Sequence, residues 1–121
     1  MVEPVSTNER TDEYGGSLEN RVRLNLEIYE AIRTEIPEET GFIVGIKMNS
    51  VEFQNKGLRV EEAVFMCKEY DRIGHDFIEL SGGTIEKIAF HHLSESSRIR
   101  EHTLPNFQSK LSRPLTTPLS I

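Results

Sequence analysis

The sequence predicts an α/β fold in which amphipathic helices alternate with short strands of a parallel sheet. Three observations support this class. Apolar residues recur at helical spacing over 17–36, and residues 42–49 form a short apolar run typical of a strand buried on both faces. Residues 59–73 and 76–81 then repeat the order of helix and strand. Short connections between such elements are typical of βα units joined right-handed into one sheet.

The first helix is preceded by residues 1–16, which are polar and are predicted to form a loop. Ser17 is placed to cap a helix over 17–36, and Glu19 stands in its first turn, where the helix dipole favours an anion. Pro37 ends the helical pattern. The apolar positions are Leu18, Val22, Leu26, Tyr29, Ile32 and Ile36. This face needs a sheet to cover it.

The run 42–49 is predicted to be a strand whose two faces differ. One row is wholly apolar and consists of Phe42, Val44, Ile46 and Met48. The other row consists of Ile43, Gly45, Lys47 and Asn49. A cation near the C-terminal end of a buried parallel strand is costly unless something pairs with it. That end is also where α/β proteins bind their ligands, so Lys47 is the first candidate for chemistry.

A second helix is predicted over 59–73, with Gly74 as its C′ residue, although Arg59 is a poor N-cap. Its expected buried positions are Val60, Ala63, Val64, Cys67 and Tyr70. In the following strand, 76–81, Ile78 and Leu80 are expected to face the helices, with Phe77, Glu79 and Ser81 on the other side. Glu79 is then a rim partner for Lys47 rather than a catalytic acid.

The two mixed strand faces favour a piece of a (β/α)8 barrel, where such faces point inward. A Rossmann-type domain is disfavoured because no glycine fingerprint follows a strand. Residues 94–111 are predicted to be partly helical with an interruption at Pro105, and 112–121 to form an irregular tail. We therefore expect helix, strand, helix, strand and a partial third helix, or about two βα units.

Composition excludes several functions. The net charge is -6, the pI is near 5.2, and the 14 Lys and Arg residues form no basic patch, so nucleic acid is not an expected partner. No apolar run could span a membrane and no signal peptide opens the chain, which favours a cytoplasmic location. The single cysteine, Cys67, is expected to be a buried structural thiol. His91 and His92 lack further ligands at metal spacing, so no metal site is predicted.

The loop before the first helix contains a dense motif, Asn8-Glu-Arg-Thr-Asp-Glu-Tyr-Gly-Gly-Ser-Leu-Glu-Asn-Arg-Val-Arg23. It resembles the signature of the old yellow enzyme family, the NAD(P)H:flavin oxidoreductases. The similarity continues through residues 44–49, 77–84 and 96–101. Glycine and serine are also what a tight turn into a capped helix requires. For Arg10, Asp12 and Tyr14 we therefore favour a role in holding the loop over contact with substrate.

The resemblance implies a TIM barrel that holds FMN and passes hydride from NAD(P)H to an activated alkene, quinone or similar small acceptor. Strands 42–49 and 76–81 would be the fifth and sixth of that barrel. Lys47 would contact the N1/O2 edge of the flavin, where a cation stabilises the anionic reduced form. It is the one cofactor-binding residue predicted here, and no catalytic residue is assigned.

The resemblance also implies that 121 residues are a central fragment of the barrel. The family's other flavin contacts and its substrate-orienting histidine pair would lie elsewhere, which makes FMN binding by this chain alone doubtful. An alternative follows from the shortage of sheet. The chain would then be a truncated, non-catalytic remnant that is unstable or self-associates through open sheet edges.

Overall fold

The computed structural model describes residues 8–51, 57–82 and 117–120. The elements in these ranges are α1 (Leu18–Glu35), a short 3-10 helix (Glu38–Thr40), β1 (Gly45–Val51), α2 (Val60–Ile73), β2 (Phe77–Gly82) and β3 (Leu119–Ser120). The predicted alternation of helix and strand is confirmed. The helical content expected over 94–111 and the pair His91–His92 lie outside the described residues.

The strands form one parallel sheet in the order β1-β2-β3. Between β1 and β2 the register runs from Gly45 opposite Phe77 to Asn49 opposite Ser81, and it shifts after Asn49. β3 pairs with β2 through Ile78 opposite Leu119. The predicted tail therefore contains a short strand, which the sequence hid because two residues are too few to display an alternating pattern.

The core lies between the sheet and the two helices. Met48, Ile78 and Leu80 are buried on the helix side of the sheet, as predicted for the two β2 residues. The helices cover them with Val22, Leu58, Ala63, Val64, Met66, Cys67 and Tyr70, counting Leu58 just before α2. Met66 is fully buried, although the sequence did not single it out. This packing leaves the opposite face of the sheet to Lys47 and Glu79.

β1 begins at Gly45 and not at Phe42, so the predicted start of this strand is wrong. Phe42 is 53% exposed and Ile43 67% exposed, so the expected burial on both faces fails at these two positions, whereas Val44 is buried. Side chains provide two of the backbone hydrogen bonds here, beside the Asp76 N–H that donates to the Val44 carbonyl at 3.0 Å. The Phe42 carbonyl accepts from Arg33 Nη1 at 2.7 Å, and the Val44 N–H donates to Asp76 Oδ2 at 2.6 Å.

Each helix has a distinct N-terminal cap. Ser17 Oγ accepts the N–H of Asn20 at 3.2 Å, as its position before α1 indicated. At α2 the carboxylate of Glu62 accepts the backbone N–H of Arg59 at 3.0 Å, which compensates for the poor cap. Gly74 ends α2 with φ of 100°, a left-handed conformation that glycine adopts readily. No helix in the described ranges is long and apolar enough to cross a membrane.

Candidate functional site

Lys47 and Glu79 face each other on the side of the sheet away from the helices. They are directly opposite in the parallel register of β1 and β2, and Lys47 Nζ forms an ion pair with Glu79 Oε1. The predicted pairing of the two side chains is therefore observed. Both remain open to solvent, with side-chain exposures of 62% for Lys47 and 36% for Glu79.

A glycine and an aromatic ring form the layer next to this pair, toward the N-terminal ends of the strands. Gly45 is opposite Phe77, and a Cβ atom on Gly45 would lie 2.2 Å from atoms of the Phe77 ring. The ring therefore occupies the space that a side chain at position 45 would need. Sequence reasoning assigned both residues to this face but missed the contact, which depends on the register.

On the other side of the pair, toward the C-terminal ends, Asn49 is opposite Ser81. The register shifts immediately after this pair. Val51 is opposite Gly82, so Ser50 is an extra residue in β1. Ser50 is buried and its Oγ donates to the Ser81 carbonyl at 3.0 Å. Irregularities of this kind re-aim side chains near the ends of strands and are frequent beside active sites.

On this face of the sheet, the Lys47 ammonium is a positively charged group that a ligand could bind. An ammonium group has three N–H donors, and Glu79 accepts from Lys47. Lys47 thus retains donor capacity for an electron-rich group. The described residues contain no group of three His, Cys, Asp or Glu that could hold a metal ion. Burial raises the pKa of the Cys67 thiol to about 12, so it is not a nucleophile.

The motif loop is held by its own polar side chains. Arg10 forms an ion pair with Asp12, whose Oδ1 accepts the Tyr14 N–H at 3.1 Å. Tyr14 OH donates to Glu27 Oε2 on α1 at 3.0 Å. The hydrogen bonds from Arg10 and the Tyr14 N–H lower the pKa of the exposed Asp12 carboxyl. These contacts fit the predicted role in holding the loop.

A comparison with known protein families shows to which family this chain belongs. The model of the NADH:flavin oxidoreductase / NADH oxidase family matches residues 2–119. The chain belongs to this family. The resemblance read from the loop motif is thereby confirmed.

Curated relatives carry the same description. NADH-dependent flavin oxidoreductase nadA of Aspergillus parasiticus is 51% identical over 83 residues, which are 69% of this chain and 18% of that protein. NADH-dependent flavin oxidoreductase iliE of Neonectria sp. is 38% identical over 111 residues, which are 92% of this chain and 13% of that protein. The chain spans less than a fifth of the length of either relative.

The fold has a counterpart among solved structures. A 2-naphthoyl-CoA reductase in complex with 2-naphthoyl-CoA superposes with a TM-score of 0.72 at 26% identity. The match covers 94% of this chain and 17% of that TIM-barrel protein. The predicted partial (β/α)8 barrel is confirmed.

Proposed function

We propose that this chain supplies part of the flavin site of an FMN-dependent oxidoreductase. The enzyme would pass hydride from NAD(P)H to an activated alkene, a quinone or a similar small acceptor. Membership of the family supports an oxidoreductase that uses a flavin and NADH. The observation that carries the proposal is the position of Lys47, an accessible cation on the sheet face that a barrel turns inward.

The donor chemistry of this face fits one edge of a flavin. The pyrimidine edge presents O2 and N1, which accept hydrogen bonds and become negative on reduction, and Lys47 provides N–H donors and a positive charge. When bound, FMN would supply the hydride transfer itself. Lys47 would orient the ring by donating to that edge and would stabilise its negative charge. The Phe77 ring over Gly45 would exclude water from the layer beneath the ammonium.

A chimera tests the proposal because it provides the remainder of the barrel. The matched segment of this chain replaces the corresponding segment of the Aspergillus parasiticus relative, and the flavin retained after purification is identified and its affinity measured. We expect FMN in the chimera. We expect Lys47→Met to weaken binding by about tenfold or more, since a hydrogen bond to a charged group is worth roughly 1.5–3 kcal/mol. Lys47→Arg should retain FMN.

The matched control is Lys68→Met, which changes an exposed lysine on α2, in the helical layer across the sheet from Lys47. Circular dichroism establishes that each variant is folded. A folded chimera that retains no flavin, beside a parent that does, would refute the proposed function. Equal FMN affinity in the Lys47→Met and Lys68→Met variants would refute the role of Lys47.

A second candidate concerns the polypeptide by itself, as a non-catalytic remnant that self-associates or is unstable. In the described part of the chain β1 has a strand neighbour on one side only, and the apolar ring of Phe77 on the inner face is 38% exposed. An unpaired strand edge and an exposed apolar side chain promote association between copies of a chain. Size-exclusion chromatography of the chain alone distinguishes the candidates. A colourless, aggregating preparation favours the remnant, and a folded monomer that binds FMN excludes it.

A further inference from the structure

The ion pair between Lys47 and Glu79 lies on the candidate ligand-binding face of the sheet. Its charges can act on a bound ligand there but contribute little to the stability of the fold. Both side chains are substantially exposed, and ion pairs of that kind contribute little to stability. The stability of the fold therefore depends little on a carboxylate at position 79. Its place opposite Lys47 therefore points to a role toward the lysine.

The neighbouring layer restricts where the lysine can go. The Phe77 ring fills the space over Gly45, one layer toward the N-terminal ends of the strands. The Lys47 stem cannot fold into that space. The Lys47 side chain can extend across the sheet to Glu79 or toward the C-terminal ends of the strands. In the structure it extends to Glu79.

We propose that Glu79 is a positioning residue for Lys47 in the flavin site, and this inference rests on the proposed function. Glu79 holds the ammonium over the β1–β2 pair. Its negative charge also offsets part of the positive charge that Lys47 presents. The carboxylate thereby limits how strongly the site favours an anionic reduced flavin over the oxidised one, and so sets the reduction potential of the bound cofactor.

The first test of the inference uses the 121-residue chain without flavin. The NMR signals of the Lys47 ε-methylene group, identified by their loss in Lys47→Arg, report whether the side chain is held. We expect them to differ from those of a free lysine in the wild type and in Glu79→Asp, and to move to free-lysine values in Glu79→Gln. Signals that do not respond to Glu79→Gln would overturn the positioning role.

The matched control is Glu69→Gln. Glu69 pairs with Arg72 on α2, and the exposures of that pair, 26% and 62%, resemble those of Glu79 and Lys47. The control removes the same charge from a similar ion pair on the helical layer. It should leave the Lys47 signals in place.

The second test measures the reduction potential of FMN in the chimera. With FMN bound, the flavin edge would itself hold the Lys47 ammonium, so Glu79→Gln removes the opposing charge and leaves the cation in place. The reduced flavin should then be stabilised about tenfold relative to the oxidised one, which raises the two-electron potential by about 30 mV. Glu69→Gln should leave the potential unchanged. An unchanged or lowered potential in Glu79→Gln, with FMN bound, would overturn the inference while the proposed function stands. A folded wild-type chimera without FMN would overturn the proposed function, and the effect on potential with it.

Discussion

Arg21 on α1 and Glu62 on α2 form an ion pair that joins the two helices across 41 positions of sequence. Arg21 Nη2 lies 2.6 Å from Glu62 Oε1, and the arginine side chain is only 4% exposed. The other oxygen of the Glu62 carboxylate accepts the Arg59 N–H and so caps the start of α2. In the described ranges Arg21 Nε and Nη1 have no hydrogen-bond partner, so Glu62 is the main compensation for this buried cation.

Glu62→Ala should destabilise the chain strongly. It leaves a buried guanidinium without its carboxylate and removes the cap of α2, and breaking a buried pair costs roughly 3–5 kcal/mol. Urea unfolding followed by circular dichroism measures the loss. The control is Glu69→Ala, whose carboxylate is equally exposed but whose partner, Arg72, is in solvent. That change should cost less than about 1 kcal/mol. Equal losses would contradict the role of Arg21–Glu62.

Two isoleucines test the position of the core. Ile78 is fully buried between the sheet and the helices, so Ile78→Ala should lower the free energy of unfolding by about 2–5 kcal/mol. Ile43 is 67% exposed just before β1, and Ile43→Ala should change it by less than about 0.5 kcal/mol. The same urea experiment compares both. A larger loss from Ile43 would mean that β1 starts earlier than Gly45.

Cys67 should resist thiol reagents in the folded chain. It is fully buried on the face of α2 that packs on β1, its Sγ lies 3.5 Å from Met48 Sδ, and burial raises its pKa to about 12. A disulfide reagent at pH 8 should label it slowly in buffer and rapidly in urea, because the thiolate is the reactive form. Rapid labelling in buffer, with circular dichroism unchanged, would contradict the buried position.

His75 should make stability depend on pH. It is buried beside the rings of Tyr29 and Tyr70, with Nδ1 3.2 Å from the Tyr70 carbonyl oxygen and the charges of Arg33 and Asp76 nearby. Burial lowers its pKa in the folded chain, so the unfolded chain binds the proton more tightly. The stabilisation is full above the unfolded pKa of about 6.5 and declines as the pH falls toward the folded value.

The measurement is urea unfolding at a series of pH values below 7. His75→Phe keeps a ring between the tyrosines and removes the titrating group, so the part of the slope that comes from His75 should disappear. A slope that is the same in the wild type and in His75→Phe would assign the pH dependence to other groups.

Local patterns in the sequence were sufficient for the class of fold. The helical spacing of apolar residues, Ser17 as a cap and Gly74 as a terminator each act within a few residues, so the chain itself specifies them. The alternation in 76–81 likewise separated Ile78 and Leu80 from Glu79. These signals are local because a helix has a period of 3.6 residues and a strand a period of two.

The remaining features depended on contacts between distant segments. The segment just before β1 is held by the bond between the Val44 N–H and Asp76, 32 positions away. The Arg21–Glu62 pair and the Phe77 ring over Gly45 likewise join residues far apart in sequence. No periodicity within either segment encodes such a contact.

The sequence by itself determined that Lys47 lies on the mixed face of a strand, and the loop motif pointed to the family. Only the tertiary structure decided that Glu79 lies directly opposite Lys47 and that the Phe77 ring fills the layer beneath it. Alternation selects the face on which a side chain lies. The register between two strands selects its neighbours, and burial of one face of the sheet specifies that register.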